Sequence, residues 1–263
     1  MGPVAGVRVM NAAAMEKAVQ LVRQARRIVV FTGAGVSTES GIPDFRSPGG
    51  IWSRYDPEEF TYSRFMSSEE ARRQHWQMLK EIFLAYQAEP NPAHHAIAEL
   101  DRRGQLDCVI TQNVDGLHQK AGVPEEKVFE LHGTMRWAYC LACGRRYPME
   151  EVSAWLSRGI EVPECTSCGG TLKPAVVFFG ESLPALVLAE ATRRAQACDL
   201  FLVAGSSLVV YPAAYLPEYA LRSGAKLIIV NLTATHLDVR AEVVLSGRAG
   251  EILDQLVRKA VGA

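Results

Sequence analysis

Several features that would assign this sequence to a special class are scarce or absent. Cysteine is sparse, six in 263 residues, too few to staple a chain of this length, so a disulfide-dense secreted scaffold is excluded. An excess of either charge is also missing. Twenty-eight basic residues nearly balance twenty-nine acidic ones, leaving a formal net charge of -1 and no general attraction to nucleic acid or to an anionic membrane. No apolar run approaches the ~20 residues that cross a bilayer. Residues 1–11 lack the charged-then-apolar order of a secretory leader, and Gly6 stands where a myristoylation signal wants Ser or Thr. Repeats and low-complexity stretches are missing too. What remains, with 48% hydrophobic and 22% charged residues, is an ordinary globular composition. It is expected in the cytoplasm and is long enough for one large domain with a small satellite. Nothing in the sequence sets the oligomeric state; a monomer is the simplest expectation, left open.

What the sequence does have is concentrated in residues 28–46, I-V-V-F-T-G-A-G-V-S-T-E-S-G-I-P-D-F-R. The β-branched and aromatic run at 28–32 predicts a strand buried on both faces. Gly33, Ala34 and Gly35 free the backbone of bulk, so that its N–H groups can approach a pyrophosphate, and a helix opening near Val36 would add the positive end of its dipole. G-A-G by itself is equally a tight turn. Gly41-Ile42-Pro43-Asp44-Phe45-Arg46 then breaks the helix and sets a carboxylate, an aromatic ring and a guanidinium beside the phosphate site.

Hydrophobic periodicity predicts helices over 14–26, 68–86, 93–103, 189–196, 213–223 and 249–261, and strands over 106–111, 128–131, 199–204, 226–230 and 243–245. A strand-like return is expected over 174–179. This βα rhythm implies an α/β fold, a Rossmann-like parallel sheet. Residues 14–46, 92–134 and 173–261 would form that domain. The insertions 47–91 and 135–172 would form a small, discontinuous helical and zinc-ribbon domain. The polar run 111–118, T-Q-N-V-D-G-L-H, follows a strand, where open α/β sheets hold ligands; Gly205-Ser206-Ser207 and Asn231 follow others.

Four cysteines are paired by spacing: Cys140-x-x-Cys143 and Cys165-x-x-Cys168, separated by residues 144–164. Two such knuckles close four thiolates round one zinc, and four sulfurs leave no open position, so the metal would be structural. Two redox pairs or disulfides are the alternative, disfavoured in a reducing compartment. Cys108 and Cys198 sit in apolar surroundings and read as buried small hydrophobes.

The string G-A-G-x-S-x-x-x-G-I-P-D-F-R, followed by the 111–118 run and a His132-Gly133 pair just before the cysteine module, resembles the sirtuins, the NAD-dependent protein lysine deacylases. The resemblance runs from about residue 14 to 261. It implies NAD as co-substrate, with Gly33, Ala34, Gly35, Gly205, Ser206, Ser207 and Asn231 at its phosphates and adenine ribose. Gln112, Asn113 and Asp115 would sit at the nicotinamide and its ribose, Arg46 in a loop near the phosphates, and Phe45 over the reacting face. Ser37, Ile42, Asp44 and Ala249 complete the expected NAD contacts.

His132 would be the general base, with Asn113 beside it in catalysis, while His75, His94, His95, His118 and His236 read as structural or surface groups. The implied chemistry has the acyl-lysine carbonyl attack the ribose anomeric carbon as nicotinamide leaves. His132 then takes a proton from a ribose hydroxyl, and the acyl group ends on ADP-ribose. An acyl-lysine peptide would bind along 177–181 and 205–210 by β-augmentation, touching Phe45, Val177, Phe179, Gly180, Glu181 and Val209. Sirtuins that take succinyl or malonyl lysine carry a Tyr-x-x-Arg pair where this sequence has Trp76 and Leu79, so acetyl or a longer neutral acyl is expected. Two small departures are Ala204-Gly205-Ser206-Ser207, where most relatives read Gly-Thr-Ser after the strand, and Ala241-Glu242 in place of Ala-Asp. Alternatives are ADP-ribosyl transfer or NAD hydrolysis from the same pocket, or a silent nucleotide-sensing or zinc-ribbon binding module. An oxidoreductase is disfavoured, because no acidic residue is clearly placed ~20 positions beyond the glycines.

Overall fold

In the computed structural model, residues 12–81 and 88–262 are described. The leader reading of residues 1–11 and the end of the helix expected over 68–86 lie outside them. The chain enters through α1 (Ala12–Gln24), whose Met15, Ala18, Val19 and Val22 form one buried face. It reaches β1 (Ile28–Thr32), all five residues of which are buried. A six-stranded parallel sheet forms around it in the order β3-β2-β1-β7-β8-β9, using β2 (Leu106–Thr111), β3 (Val128–Glu130), β7 (Leu200–Ala204), β8 (Lys226–Asn231) and β9 (Val243–Ser246).

Alternation along β1 divides the core. Ile28 and Val30 join the layer beneath α1, α4 (Pro92–Arg102) and α9 (Ala249–Val261). Val29 and Phe31 join the opposite layer, beneath α7 (Ala185–Ala197) and α8 (Leu216–Arg222). A sheet covered on both faces needs strands apolar on both sides, which is why these runs are continuous and not alternating. Cys108 and Cys198 are buried within the second layer.

The remaining elements are α2 (Tyr62–Ser67), α3 (Glu69–Leu79), the short α5 (Leu117–Lys120) and α6 (Met149–Ser157), with β4 (Gly133–Cys140), β5 (Arg146–Pro148) and β6 (Leu172–Val176). Ser68 caps α3 by accepting the Ala71 N–H. β5, β4 and β6 make a separate antiparallel sheet. A third apolar cluster joins that sheet to the 47–81 insertion through Ile51, Phe60, Trp76, Met78, Tyr147, Val152 and Leu172.

Two expectations change here. The return strand expected over 174–179 is β6, and it pairs with β4 of the small sheet rather than entering the large one. Gly133 permits that register: its φ is +75° and an added Cβ would lie 2.1 Å from the Ala175 carbonyl oxygen. No α-helix opens near Val36. Two 3-10 turns, Ala34–Val36 and Thr38–Ser40, stand there and end at Gly41, whose φ is +86°. The dipole of a long helix is therefore unavailable at the glycine turn.

Candidate active site

The carboxyl ends of β1, β2, β7 and β8 open on one side of the parallel sheet, into a cavity of about 890 Å³ lined also by the small sheet and by 42–79. Its floor is two interlocked turns. The Gly33 N–H donates to the Ala204 carbonyl (3.2 Å) and that of Gly35 to the Gly205 carbonyl (2.9 Å). A Cβ on Gly35 would lie 2.8 Å from the Gly205 oxygen, and one on Gly205, whose φ is +62°, 2.2 Å from the Val36 nitrogen. Glycine is thus required for contact between the turns as well as for any approach of a ligand. The Gly33 and Gly35 amides, expected at phosphates, are engaged by the β7 turn, which leaves that of Ala34.

Beside this floor stands a polar wall. Ser37 Oγ donates to Asp115 Oδ2 (2.7 Å) and accepts from Asn113 Nδ2 (3.0 Å). The other Asp115 oxygen accepts the Leu117 N–H at 3.0 Å. Burial raises the Asp115 carboxyl above its ordinary value, against these stabilising hydrogen bonds. Gln112 Nε2 donates to Ser206 Oγ (2.9 Å), joining the β2 and β7 loops. His132 Nδ1 lies 2.9 Å from the Gln112 carbonyl oxygen, so Nδ1 carries the proton and Nε2 is free to accept one. Burial lowers the His132 pKa, opposed by that hydrogen bond. The Val177 N–H donates to the His132 carbonyl at 2.8 Å, which ties His132 to the 177–181 segment.

The facing wall is apolar. Phe45 packs on Trp52 (ring centroids 5.3 Å), and Trp52 on Phe60 and Phe179 (5.9 Å each). Met78, Leu79 and Met135 continue the surface. His75 also lines it, ringed by Phe60, Phe65 and Phe178. Desolvation lowers its pKa to about 4, so it belongs electrically to the apolar side at neutral pH. Asp44 also lines the cavity, and its carboxylate accepts the Arg46 and Ser47 N–H groups (2.9 and 2.7 Å), which shapes the loop. Arg46 is exposed at the rim.

Of the expected residues, Ile42, Ser207, Asn231, Ala249, Val177, Phe179 and Gly180 all reach the cavity. Val209 does not. It is 52% exposed, and Val210 and Tyr211 line the cavity in its place. Of the pair weighed for acyl preference, Leu79 lines the cavity, whereas Trp76 is fully buried behind it. The Glu181 carboxylate is engaged: it pairs with the buried Lys173 ammonium at 2.9 Å and accepts the Phe178 N–H at 2.6 Å.

In the small sheet the four cysteine sulfurs lie within 4.8 Å of one another. The Cys140–Cys168 and Cys143–Cys165 separations are 3.6 Å, far too long for disulfides at about 2.05 Å and close to the edge of a tetrahedron of sulfurs about 2.3 Å from a zinc ion. Gly170 keeps the cage open, since a Cβ there would fall 2.8 Å from Cys140 Sγ. The residues fit Zn²⁺ as a structural ion.

A Sir2 family model matches residues 33–212. The NAD-dependent protein deacetylase 1 of Pyrobaculum aerophilum is 45% identical over 249 residues, covering 94% of this chain and 95% of that protein. The chain belongs to the Sir2 family. Another Sir2 relative, the NAD-dependent protein deacylase 2 of Archaeoglobus fulgidus, is 47% identical over 247 residues, covering 93% of this chain and 95% of its own. A solved Sir2 complex with a deacetylated p53 peptide and 3′-O-acetyl ADP ribose matches with a TM-score of 0.87 at 42% identity, over 93% of this chain and 98% of that one.

Sequence reasoning about this Sir2 chain missed most of its apolar wall. Trp52, Phe60, Met78 and Met135 follow no period, and only the tertiary packing that puts them together marks them. The Lys173–Glu181 pair was missed as well. Its one available signal was a lysine among otherwise apolar residues of a strand.

Proposed function

We infer that this protein is an NAD-dependent protein lysine deacetylase that transfers the acyl group from lysine to ADP-ribose and releases nicotinamide. One observation carries the reading: the free nitrogen of His132, the Ser37–Asn113–Asp115 cluster and the interlocked glycine turns line one cavity whose other wall is apolar. When bound, NAD supplies an anomeric carbon whose bond to nicotinamide breaks, and a ribose hydroxyl to receive the acyl group.

The chain's own residues do the rest. Asn113 and Asp115, locked by Ser37, present fixed polar groups at the nicotinamide end, and the side chains of Ser206, Ser207 and Asn231 face the remainder of the dinucleotide. His132, its tautomer set by the Gln112 carbonyl, stays neutral at pH 7 and takes a proton on Nε2. Phe45 and Trp52 keep water from the reacting face. Residues 177–181 hold the peptide main chain and the apolar wall holds a neutral acyl group. The length of that wall, reaching Met78 and Leu79, favours as a second reading the acceptance of neutral acyl groups longer than acetyl. The cysteine cage needs reduced thiols, which supports a cytoplasmic location.

His132→Ala should bind NAD at near wild-type affinity by calorimetry and lose about 10²- to 10⁴-fold in kcat. In the wild-type pH profile the acid limb should fall below 6.5, the ordinary histidine value, because the depressed pKa keeps the base neutral to lower pH. Near-wild-type turnover in the variant would remove His132 from this role.

A further inference from the structure

Behind the polar wall lies a buried chain of hydrogen bonds that the reading above does not use. The Asn113 N–H donates to Thr111 Oγ1 (3.0 Å), which also accepts from Thr32 Oγ1 (2.8 Å). Thr32 has then used its only proton, so His118 Nε2, 2.9 Å from Thr32 Oγ1, must be the donor. All three side chains are at most 2% exposed. The sense of the two hydroxyl bonds is therefore coupled to which nitrogen of His118 is protonated, while the Asn113 N–H donates to Thr111 in either case.

A second imidazole packs beside the first. His94, also fully buried, accepts the Asn91 N–H on Nδ1 (3.2 Å), so its Nε2 carries the proton. The rings of His94 and His118 are 5.0 Å apart. Within this pair of rings, His94 Nε2 and His118 Nδ1, a donor and an acceptor, have no hydrogen-bond partner among the described residues. Asn91 in turn donates through Nδ2 to the Val36 carbonyl (2.8 Å) and Ser40 Oγ (3.0 Å). Two hydrogen-bonded runs thus meet at packed rings, one from the 33–46 loop to His94 and the other from His118 through two hydroxyls to the 112–116 loop, with no hydrogen bond between the imidazoles.

We propose that His118 is a positioning residue for Asn113, acting through the hydroxyls of Thr32 and Thr111 to hold the start of the 112–116 loop against the end of β1. It touches no substrate. A purely packing role would be met by any apolar side chain of similar volume, and an apolar core is often as stable as a hydrogen-bonded one. A positioning role requires the donor at Nε2. The proposal rests on the reading that Asn113 acts at the nicotinamide end.

The test compares His118→Leu, which keeps volume without the donor, with His118→Gln, whose amide nitrogen reaches the place of Nε2. Thr111→Val and Thr111→Ser form an independent pair should His118→Leu fail to fold. Steady-state kinetics with an acetylated peptide should show kcat/KM for NAD reduced about tenfold in the Leu and Val variants, the loss of one buried hydrogen bond. KM for the peptide should stay within about twofold, and Gln and Ser should recover to within about threefold of wild type. Equal activities within each pair would overturn the proposal. Asn113→Ala, measured alongside, separates the two readings: full activity there removes the role of Asn113 itself, whereas its loss together with wild-type behaviour of His118→Leu overturns only the part given to His118.

Discussion

The two walls of the cavity are built in opposite ways. On the polar side, four side chains from the two segments that follow β1 and β2, Ser37 from one and Gln112, Asn113 and Asp115 from the other, all hydrogen-bond within the protein. On the apolar side, Trp52, Phe60 and Met78 come from an insertion and Met135 from a small sheet; with Phe45 from the loop before the insertion they meet through ring packing and a shared core. One wall has direction, and the other has shape. Hydrogen bonds fix where a donor or acceptor points and suit a reaction centre that must not move. Apolar packing fixes volume and rejects charge, and suits a group recognised by what it lacks.

The largest expected effect breaks the apolar side at its base. Removing the metal with a strong chelator, or substituting Cys165→Ser, should unfold the β5-β4-β6 sheet, because Tyr147, Val152 and Leu172 form a small core that the cysteine cage closes. Deacetylation should disappear, with loss of near-ultraviolet circular dichroism from the small sheet. Retained activity without bound metal would show that the sheet needs no ion.

A smaller effect sharpens the contrast between the walls. With Leu79 on the apolar side, succinyl-lysine should be turned over at least about 100-fold less efficiently than acetyl-lysine, since its carboxylate would lose water without gaining a partner. Leu79→Arg should narrow that gap, mainly through KM. Desuccinylation faster than deacetylation in the wild type would contradict the assignment of this wall.

The smallest effect concerns three buried imidazoles, His75 in the apolar wall and His94 and His118 behind the polar one. His75 and His94 are driven down to about 4, and His118 well below 6.5, chiefly by desolvation. Between those values and 6.5 the unfolded chain binds more protons than the folded one, so stability is complete above pH 6.5 and falls as pH drops towards 4. Urea denaturation should show roughly 2 to 3 kcal/mol lost for each of His75 and His94 across that window, with His118 adding a loss of the same sign. A midpoint independent of pH between 6.5 and 4 would show that these rings accept protons in place.

The same contrast explains what could be read from the sequence. β1 and β2 follow directly from their β-branched runs, and the polar wall from motifs at strand ends, because both are short-range patterns. So are the two C-x-x-C knuckles. The 3-10 turns after Gly33 are another matter, since they depend on Asn91, more than fifty residues away, holding the Val36 carbonyl. The placement of β6 depends on Gly133 admitting the Ala175 backbone, and residues 174–179 carry no mark of that partner. The apolar wall was hidden for the same reason: its residues are adjacent only after the insertion packs on the small sheet.

The most direct test is mass spectrometry of one acetylated peptide incubated with the protein, with and without NAD, for wild type and His132→Ala. The account predicts loss of the acetyl mass only with NAD and only in the wild type, with acetylated ADP-ribose and nicotinamide formed in equal amounts. Deacetylation without NAD, or NAD cleavage that leaves the peptide acetylated, would contradict it.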